Sequence, residues 1–546
     1  MSSRNHWAAG GLAALLLLGP AAHADEDPAQ RQSIEELRNT VINLLQALVD
    51  KGLLTREQAQ LLVKQATDKA AADEAALAAK NAAQAKEEEN AVRVPYVPQI
   101  VKDEISKQVA TELAPTVQQQ VAAQLSPANV HSALPDWVQR MNWTGDVRIR
   151  AEADDYGRGN APYSYLDFNA VNAAGGVVNA GTKAYLDTNY DVDRLRIRLR
   201  FGFDTDLGDG WSSGMRIATG NGGEIYVSTN QTFGTYGDAY QIALDQGWVR
   251  WTGQSSSGRQ IFTTAAGRFS NPWLSTNMVW YNDLTFEGLT SNYRVNLSSD
   301  NAHRQDIYAT VGAFPLQSET PSSRDKWLAG AQIGADLQSE DASRLRFGAA
   351  YYDYIHINGV RNSPDSTFWN FTAPALVQKG NTMYDISNSN NPDTNLFALA
   401  ADYRIVDLIA IAEWHAFTRY AFSLTGDAVK NIGYSAAEVL ARTGTYVPPR
   451  TAGYEADVGF GSFAYGERNS WRASLGYRYL QRDAVLDAFN DEDFHLGGTD
   501  TKGYIVNFDY AVNPHVWARL RYLSATAIDG PPLAIDVLML DLNTQF

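Results

Sequence analysis

The last twelve residues of this 546-residue chain constrain its fold more than any other stretch. Read backwards from Phe546, the residues Thr544, Leu542, Leu540 and Leu538 fall on one face of an extended strand, and more polar residues lie between them. Successive side chains of a strand point to opposite faces. A chain that ends on an aromatic residue, in a strand that is apolar on one face only, is typical of a barrel that stands in lipid.

The first 24 residues have the pattern of a secretory signal peptide. Arg4 gives a short basic start, an apolar run extends from Trp7 to Leu18, and Ala22-His23-Ala24 fits a cleavage site. The chain contains no Cys, so we expect neither a lipid anchor nor disulfides. Beyond residue 24 no run of about 18 apolar residues occurs, so no transmembrane helix is predicted.

The composition disfavours several classes of protein. A formal net charge of −17 argues against nucleic-acid binding. Hydrophobic residues make up 45% of the chain, an average that transmembrane barrels also show because polar lumen positions dilute the apolar ones that face lipid. Motifs for dinucleotides, phosphate loops and zinc are absent from the sequence, which therefore predicts no cofactor and no metal.

Residues 25–135 have a helical period. Ile34, Leu37, Val41, Leu44 and Leu48 are spaced by three and four residues, which is the seam of a coiled coil. Stripes this thin need partners before they can form a core. Two interpretations stay open: a periplasmic coiled-coil stalk or plug that oligomerises, and a loosely ordered helical linker.

Residues 136–546 have a period of two instead. In one segment the apolar residues from Leu195 to Phe203 alternate with arginines and a glycine. Segments of about 9–11 residues, the length of a tilted membrane strand, begin near residues 141, 193, 211, 240, 259, 284, 304, 326, 343, 395, 407, 452, 470, 502, 515 and 535. The sequence therefore predicts an all-β transmembrane barrel of about sixteen antiparallel strands after the periplasmic α-helical segment.

The connections between these segments alternate in length. The short ones are residues 207–210, 253–257, 298–302, 339–342, 406–407, 465–469 and 512–514. The long ones lie near 153–192, 220–239, 270–283, 315–325, 356–394, 419–450, 481–501 and 525–534. Outer-membrane barrels have short periplasmic turns and long external loops, and a soluble sandwich has no reason for this alternation.

A set of arginines is predicted to line the pore, because each lies opposite the apolar face of its strand. Such a charge would cost about 2–4 kcal/mol if it faced the middle of the bilayer. The pore-lining residues are Arg148, Arg150, Arg194, Arg196, Arg198, Arg200, Arg344 and Arg346. They could give one wall a positive field that selects anions, or simply solvate the lumen and pair with carboxylates such as Asp146 and Glu152.

The third long connection is predicted to be a constriction loop. Its candidate residues are Arg268, Asn271, Pro272, Trp273, Asp283 and Glu287. Pro272 has no N–H and ends strand pairing. Asp283 and Glu287 could face the arginine wall and create a transverse field. The alternative is an ordinary external loop with an aromatic tip at Trp280 and Tyr281.

Two further features favour no additional chemistry. Asp487, Asp491, Glu492 and Asp493 lack the ordered spacing of a calcium loop, so we expect a solvated acidic loop. His415 is the candidate for a catalytic role, but no Ser or Asn motif marks a catalytic set around it. The sequence therefore predicts that the protein is not an enzyme.

Several segments resemble the proteobacterial outer-membrane "putative porin" family, whose members are similar to general porins and carry an N-terminal helical region. The segments that carry the resemblance are Leu53–Ala59, Val92–Pro98, Arg194–Phe203, Gly267–Trp273 and Val279–Gly288, together with Phe546. Leu538, Leu540, Leu542 and Phe546 are also similar to the terminal signal that the outer-membrane barrel-assembly machinery recognises, although Thr544 departs from it.

The resemblance implies a passive diffusion channel for small hydrophilic solutes or ions. It places the barrel in the bacterial cell outer membrane, in contact with lipid and lipopolysaccharide, and by analogy with general porins it implies a homotrimer. The N-terminal region would lie in the periplasm. Two other functions stay open: a structural protein that tethers the envelope, and an export channel plugged by the helices.

Overall fold

The structure, a computed structural model, describes residues 139–220, 228–298, 304–319, 323–391, 393–415, 417, 419–462 and 467–546. The predicted signal peptide (1–24) and helical segment (25–135) lie outside the described residues. All described residues belong to one compact unit, Ser126–Phe546. Within the described ranges, no helix has the length and apolar character needed to cross a membrane.

Sixteen long antiparallel strands form the body of the described structure. They are β1 Met141–Tyr156, β2 Val192–Gly208, β3 Trp211–Thr219, β4 Ile242–Gln254, β5 Gln260–Ser270, β6 Thr285–Asn296, β7 Gln305–Gln317, β8 Lys326–Gln338, β9 Arg344–Ile355, β10 Tyr403–Trp414, β11 Ala421–Asn431, β12 Ala452–Gly461, β13 Trp471–Leu480, β14 Thr501–Asn513, β15 Val516–Ala527 and β16 Ala534–Gln545. Strand β1 pairs with β2 on one side and with β16 on the other, so the sheet closes on itself. The predicted barrel is confirmed.

The alternation of each strand separates the two faces of the barrel. On β16, Leu538, Leu540 and Leu542 are 46%, 55% and 49% exposed, whereas Met539 and Asp541 between them are 1% and 2% exposed. Closed pairing satisfies the backbone donors and acceptors, which a strand in hydrocarbon requires. The apolar side chains therefore form the outer surface, and the polar side chains fill the lumen.

Loops at the two ends of the barrel differ in length as predicted. The long loops are L1 157–191, L2 220–241, L3 271–284, L4 318–325, L5 356–402, L6 432–451, L7 481–500 and L8 528–533. The turn after β2 is only two residues long, and both Asp209 and Gly210 adopt positive φ. Residue 141 and Phe546 lie at the end that carries the short turns.

The long loops contain short helices, 3₁₀ segments and short strands. The helices are α1 Phe168–Ala174, α2 Val177–Ala180 and α3 Ala436–Thr443, and the 3₁₀ segments are Gly181–Ala184, Asn370–Thr372 and Asp487–Phe489. Gln231–Thr232 adds two residues to the edge of β2, and Met383–Asp385 pairs with Phe397–Leu399 within L5. Ser435 caps the N-terminus of helix α3, since its hydroxyl accepts from the Glu438 backbone N–H at 3.4 Å.

The prediction of the β10–β11 hairpin is wrong. Strands were expected to begin at residues 395 and 407 with a turn at 406–407, but β10 begins at Tyr403 and runs through residues 406–407, and the turn is at 415–420. Asp407 looked like a turn residue, yet its side chain is fully buried in the lumen beside loop L3. An acidic residue inside a strand is disfavoured in most sheets, and only the polar barrel interior makes it acceptable.

The packed interior lies inside the barrel, where L3 and L7 fold into the lumen. The Tyr281 backbone N–H donates to the Phe489 carbonyl at 2.9 Å, and the Asp491 N–H donates to the Asn277 carbonyl at 3.0 Å. The Trp280 ring packs on Phe489 at 5.8 Å between centroids. The aromatic tip expected of an external L3 is therefore buried, and the expectation of a solvated acidic loop for L7 is wrong.

Candidate functional site: the charged lumen

The arginine ladder of β1 and β2 lies inside the barrel and is fully ion-paired. Arg198 Nη2 lies 2.8 Å from Asp146 Oδ1, and Arg200 Nε lies 2.7 Å from Asp146 Oδ2. Arg194 and Arg196 bind Glu152 at 2.7 and 3.2 Å. Asp146 and Glu152 are the two partners that the sequence suggested. The arginines therefore face the lumen, and their charge is largely compensated there.

Asp283 of L3 forms ion pairs with this arginine ladder. One carboxylate oxygen of Asp283 lies 2.9 Å from Arg198 Nη1 and 3.2 Å from Arg200 Nη1, and the other lies 3.7 Å from Arg148 Nη2. Burial alone would raise the pKa of Asp283, but Arg198, Arg148 and Arg200 outweigh it and hold the pKa below its usual value. Asp283 is therefore an anion that spans from the loop to the wall.

The first half of L3 is held against the opposite wall of the lumen. Gln332 of β8 exchanges two hydrogen bonds with the Leu274 backbone, at 2.9 and 2.8 Å. The Asp427 carboxylate of β11 accepts from the Thr276 hydroxyl at 2.5 Å. Trp273, which follows Pro272, packs its ring edge-on against Tyr352 at 5.4 Å. These contacts fix L3 inside the barrel rather than above it.

Local turn chemistry starts this path. The Asn271 side-chain oxygen accepts from the Trp273 N–H at 2.9 Å, and its amide donates to the Ser275 hydroxyl at 3.0 Å. An Asx turn of this kind redirects a chain after a strand ends. Asn271, Pro272 and Trp273 therefore lie where the strand gives way to the inward loop.

Two of the expected constriction residues do not face the lumen. Glu287 lies on the same face of β6 as Leu289 and Tyr293, which are exposed on the outside of the barrel. It forms an ion pair with Arg268, its register partner on β5, at 2.5 Å. The expectation that Glu287 faces the arginine wall is wrong, because Glu287 lies within β6 at a position whose side chain points outward, whereas Asp283 lies in L3 before the strand begins.

Arg344 and Arg346 do not extend the arginine ladder. They lie on β9, which is on the far side of the barrel from β1 in the order of strands. Arg344 binds Asp336 at 2.6 Å, and Arg346 binds Glu413 at 3.1 Å. The expected single wall is thus formed by the β1 and β2 arginines, and this second pair lies near the short-turn end of β9.

L7 contributes charged residues that the sequence did not assign to the pore. Asp493 lies 3.1 Å from both Arg150 and Arg521, and it accepts from the Tyr281 hydroxyl at 3.3 Å. Asp491 binds Arg521 at 2.8 Å and Arg478 at 3.4 Å. The acidic run from Asp491 to Asp493 is visible in the sequence. Its role in the pore is not, because the arginines that bind these carboxylates lie on strands distant in sequence.

Two cavities meet at this charged layer. The inner cavity, of about 790 Å³, extends to residues of the short-turn end such as Pro514 and Gln545. The outer cavity, of about 330 Å³, is lined by residues of L1, L5 and L7. Asp493 lines both of them. L3, L7 and the β1–β2 wall thus form the narrow layer between two vestibules.

His415 and the acidic residues of L7 show no sign of other chemistry. His415 lies in the turn between β10 and β11. In the described ranges, no group of three or more metal-binding side chains could hold an ion. Asp491 and Asp493 of L7 bind arginines.

A closed sixteen-stranded barrel with an apolar outside and a charged lumen that contains cavities defines a channel-forming membrane protein. The chain belongs to the family described as "Putative porin", whose model matches residues 38–546. The protein is therefore a porin of the outer membrane, a water-filled channel for passive diffusion of small hydrophilic solutes or ions. Its family and fold are those of a channel rather than of an enzyme.

Several solved outer-membrane proteins are similar in structure at low sequence identity. The high-pH structure of Pseudomonas putida OprB is 11% identical, with 78% of this chain and 97% of that chain covered and a TM-score of 0.43. The channel DcaP of Acinetobacter baumannii is 11% identical, with 74% and 97% covered and a TM-score of 0.35. Salmonella typhi OmpF in complex with daunomycin is 10% identical, with 74% and 97% covered and a TM-score of 0.37. A comparison with curated proteins gave no match.

Proposed function

We propose that the β1–β2 arginines and the carboxylates of L3 and L7 form the selectivity region of this porin. The observation that carries the proposal is Asp283, which bridges from L3 to Arg198 and Arg200 across the lumen. Positive charge on the wall and negative charge on the loops create a transverse field. Such a field orients dipolar solutes and sets ion preference at the narrowest layer.

The preference of this layer is set by a near balance of charge. Arg148, Arg150, Arg198 and Arg200 on the wall meet Asp146, Asp283, Asp493 and Asp541 within ion-pair distance. Since guanidiniums and carboxylates compensate each other, the arginines alone do not produce strong anion selectivity. We therefore expect weak ion selectivity and preferred passage of zwitterionic solutes.

The test is the reversal potential of the full chain in a planar bilayer under a salt gradient. Wild-type channels should show stable open steps and a reversal potential near zero. Asp283→Asn removes one negative charge beside three arginines, so the chloride-to-potassium permeability ratio should rise by a factor of about three in 0.1 M salt. Asp283→Glu should restore it. An unchanged ratio in Asp283→Asn would exclude L3 from the selectivity region.

We further propose that the outer rim binds lipopolysaccharide. Arg404, Lys430 and Lys502 lie on the outward faces of β10, β11 and β14, each within two residues of a long loop. Between them Tyr454 and Tyr479 stack at 5.4 Å. Cations beside aromatic rings at this level suit the phosphates of the outer leaflet. Replacing the three cations with Gln should reduce lipopolysaccharide retained on purification, and equal retention would contradict the proposal.

A homotrimer is proposed from the outward face of β7 and β8. Ala309, Ala313, Ala329, Ala331 and Ala335 alternate there with larger apolar residues. Small side chains let two surfaces approach closely in a membrane. In chemical crosslinking, Ala331→Trp should convert trimers to monomers, whereas Ala456→Trp on the outward face of β12 should leave them intact. Crosslinked trimers in Ala331→Trp would place the interface elsewhere.

Two further proposals concern the assembly of the barrel and the location of the N-terminal segment. We propose that Leu538, Leu540, Leu542 and Phe546 present the terminal signal to the barrel-assembly machinery, and that residues 25–135 lie in the periplasm. The periplasmic location is supported by the start of β1, which lies at the end of the barrel that carries the short turns. In outer-membrane barrels the short turns are on the periplasmic side. Because the chain has no Cys, Ser33→Cys should react with an impermeant maleimide only after the outer membrane is permeabilised, while Thr445→Cys in L6 should react in intact cells.

A further inference from the structure

The outer cavity differs in chemistry from the rest of the lumen. Three leucines from three different loops line it: Leu186 of L1, Leu376 of L5 and Leu496 of L7. Charged side chains of β1, β2, L1 and L7 also line it. At about 330 Å³ its volume is at the low end of the range typical of small-molecule sites. A cavity whose lining combines apolar and charged side chains fits an amphipathic molecule.

The charge of this cavity is negative. Its lining contains two guanidiniums, Arg194 and Arg196, and five carboxylates, Glu152, Asp154, Asp167, Glu492 and Asp493. Both arginines already bind Glu152. Asp154 binds Arg194 through one oxygen, and its second oxygen has no hydrogen-bond partner among the described residues. The cavity therefore attracts a cation rather than an anion.

Glu492 is the carboxylate that is best placed to meet such a cation. It forms no ion pair with any side chain in the described part of the chain; its hydrogen-bonding neighbours are Ser228 and the Asn230 amide, which lies 3.4 Å away. Its neighbour Asp493 is different, because Arg150 and Arg521 both bind it at 3.1 Å. Glu492 therefore lines the cavity with a carboxylate that no guanidinium of the described residues binds.

We propose that the outer cavity is a binding site for a small organic cation with an apolar body. The ammonium group would lie against Glu492 and the free side of Asp154. The hydrocarbon part would lie against Leu186, Leu376 and Leu496. The inference rests on the proposed selectivity region, since the site lies at its entrance, and it names the class of solute that the entrance retains.

The site predicts which solutes block the channel. Phenethylammonium, added on the long-loop side of a bilayer that holds the full chain, should reduce the open-channel current in a saturable way. Phenethyl alcohol has the same body without the charge, and phenylacetate has the opposite charge, so both should block at least about tenfold more weakly. Methylammonium should also be weak, because it lacks the hydrocarbon part.

Variants separate the two halves of the site. Glu492→Gln should raise the half-blocking concentration of phenethylammonium about tenfold. Leu376→Ser should raise it about threefold and leave the weak block by methylammonium unchanged. The matched control is Glu438→Gln, the same chemical change on the exposed helix α3 outside the cavity, which should have no effect. Single-channel conductance in KCl verifies that each variant is folded.

Two results would overturn this site. One is equal block by phenethyl alcohol and phenethylammonium, and the other is undiminished block in conducting Glu492→Gln and Asp154→Asn channels. Failure of the proposed function is distinguishable from both. In that case Asp283→Asn would leave the chloride-to-potassium permeability ratio unchanged, in measurements made before any blocker is added.

Discussion

At the scale of single residues, the function depends on how buried charges find partners. The face of each lumen arginine on β1 and β2 follows from the sequence, because four arginines opposite an apolar face cannot point into lipid. Their partners do not follow from it. Arg150 binds Asp541, which is 391 residues away, and Asp493, which is 343 residues away. Only the closure of the barrel and the inward fold of L7 bring these groups together.

Glu492 predicts how selectivity depends on pH. Burial raises the pKa of Glu492 to about 7, the nearby Asp493 and Asp283 add to the increase, and Arg196 and Ser228 oppose it. Below this pH the side chain is neutral, and above it the side chain carries a negative charge. The cation preference of the channel should therefore rise between about pH 6 and pH 8, by a factor of about two to three in permeability ratio.

Reversal potentials measured across that range check this expectation. Glu492→Gln channels should show the low-pH permeability ratio at every pH. Glu438→Gln, which alters an exposed glutamate on α3, should keep the wild-type profile. A wild-type ratio that stays constant from pH 6 to 8 would mean that the titration of Glu492 does not reach the permeating ion.

At the scale of elements, strands were easier to predict than loops. Fourteen of the sixteen strands begin within about two residues of the predicted position, since alternation is a local signal. The exception is the β10–β11 hairpin, where Asp407 was interpreted as a turn residue although it lies inside β10 and faces the lumen. The inward fold of L3 was one of two open interpretations, and that of L7 was not expected. Loop packing depends on contacts between loops, which leave no period in the sequence.

One such contact is the close approach of L7 to L5. Gly498 has a φ of 81°, and a Cβ there would lie 1.9 Å from the Lys379 carbonyl oxygen. Gly498→Val should therefore separate the two loops and cost more than the roughly 1 kcal/mol of positive φ alone. The expected result is larger current noise and faster protease cleavage within L5. Gly444→Val is the matched control, because Gly444 also has positive φ but a Cβ there would meet no atom within 4 Å.

The outcome for Gly498→Val distinguishes two roles of L7. If Gly498→Val and Gly444→Val give the same quiet channel, L7 does not need L5 for its position. If only Gly498→Val is noisy, the L5–L7 contact holds the entrance in shape.

At the scale of the whole molecule, alternate residues of each barrel strand face two different environments, lipid on the outside and the polar lumen on the inside. The alternation that the last twelve residues display extends around all sixteen strands, and it is enough to specify a barrel in lipid. The alternation does not predict how far the loops fill the lumen. The two cavities and the layer between them arise from loops that cover the polar face, so the barrel body was predictable and the shape of its passage was not.

Adjacent residues on β11 test this division directly. Leu424 is 55% exposed on the outside, whereas Thr425 lines the inner cavity. Leu424→Lys puts a charge near the middle of the outer face, so it should lower the free energy of unfolding by about 2–4 kcal/mol in lipid vesicles. Thr425→Lys puts the same charge in water beside acidic groups, so it should change stability by less than about 1 kcal/mol. Urea titration of the reconstituted barrel measures both values. Equal destabilisation by the two lysines would mean that the lumen at this level is as dry as the lipid face, and the chain would then form a plugged barrel rather than an aqueous channel.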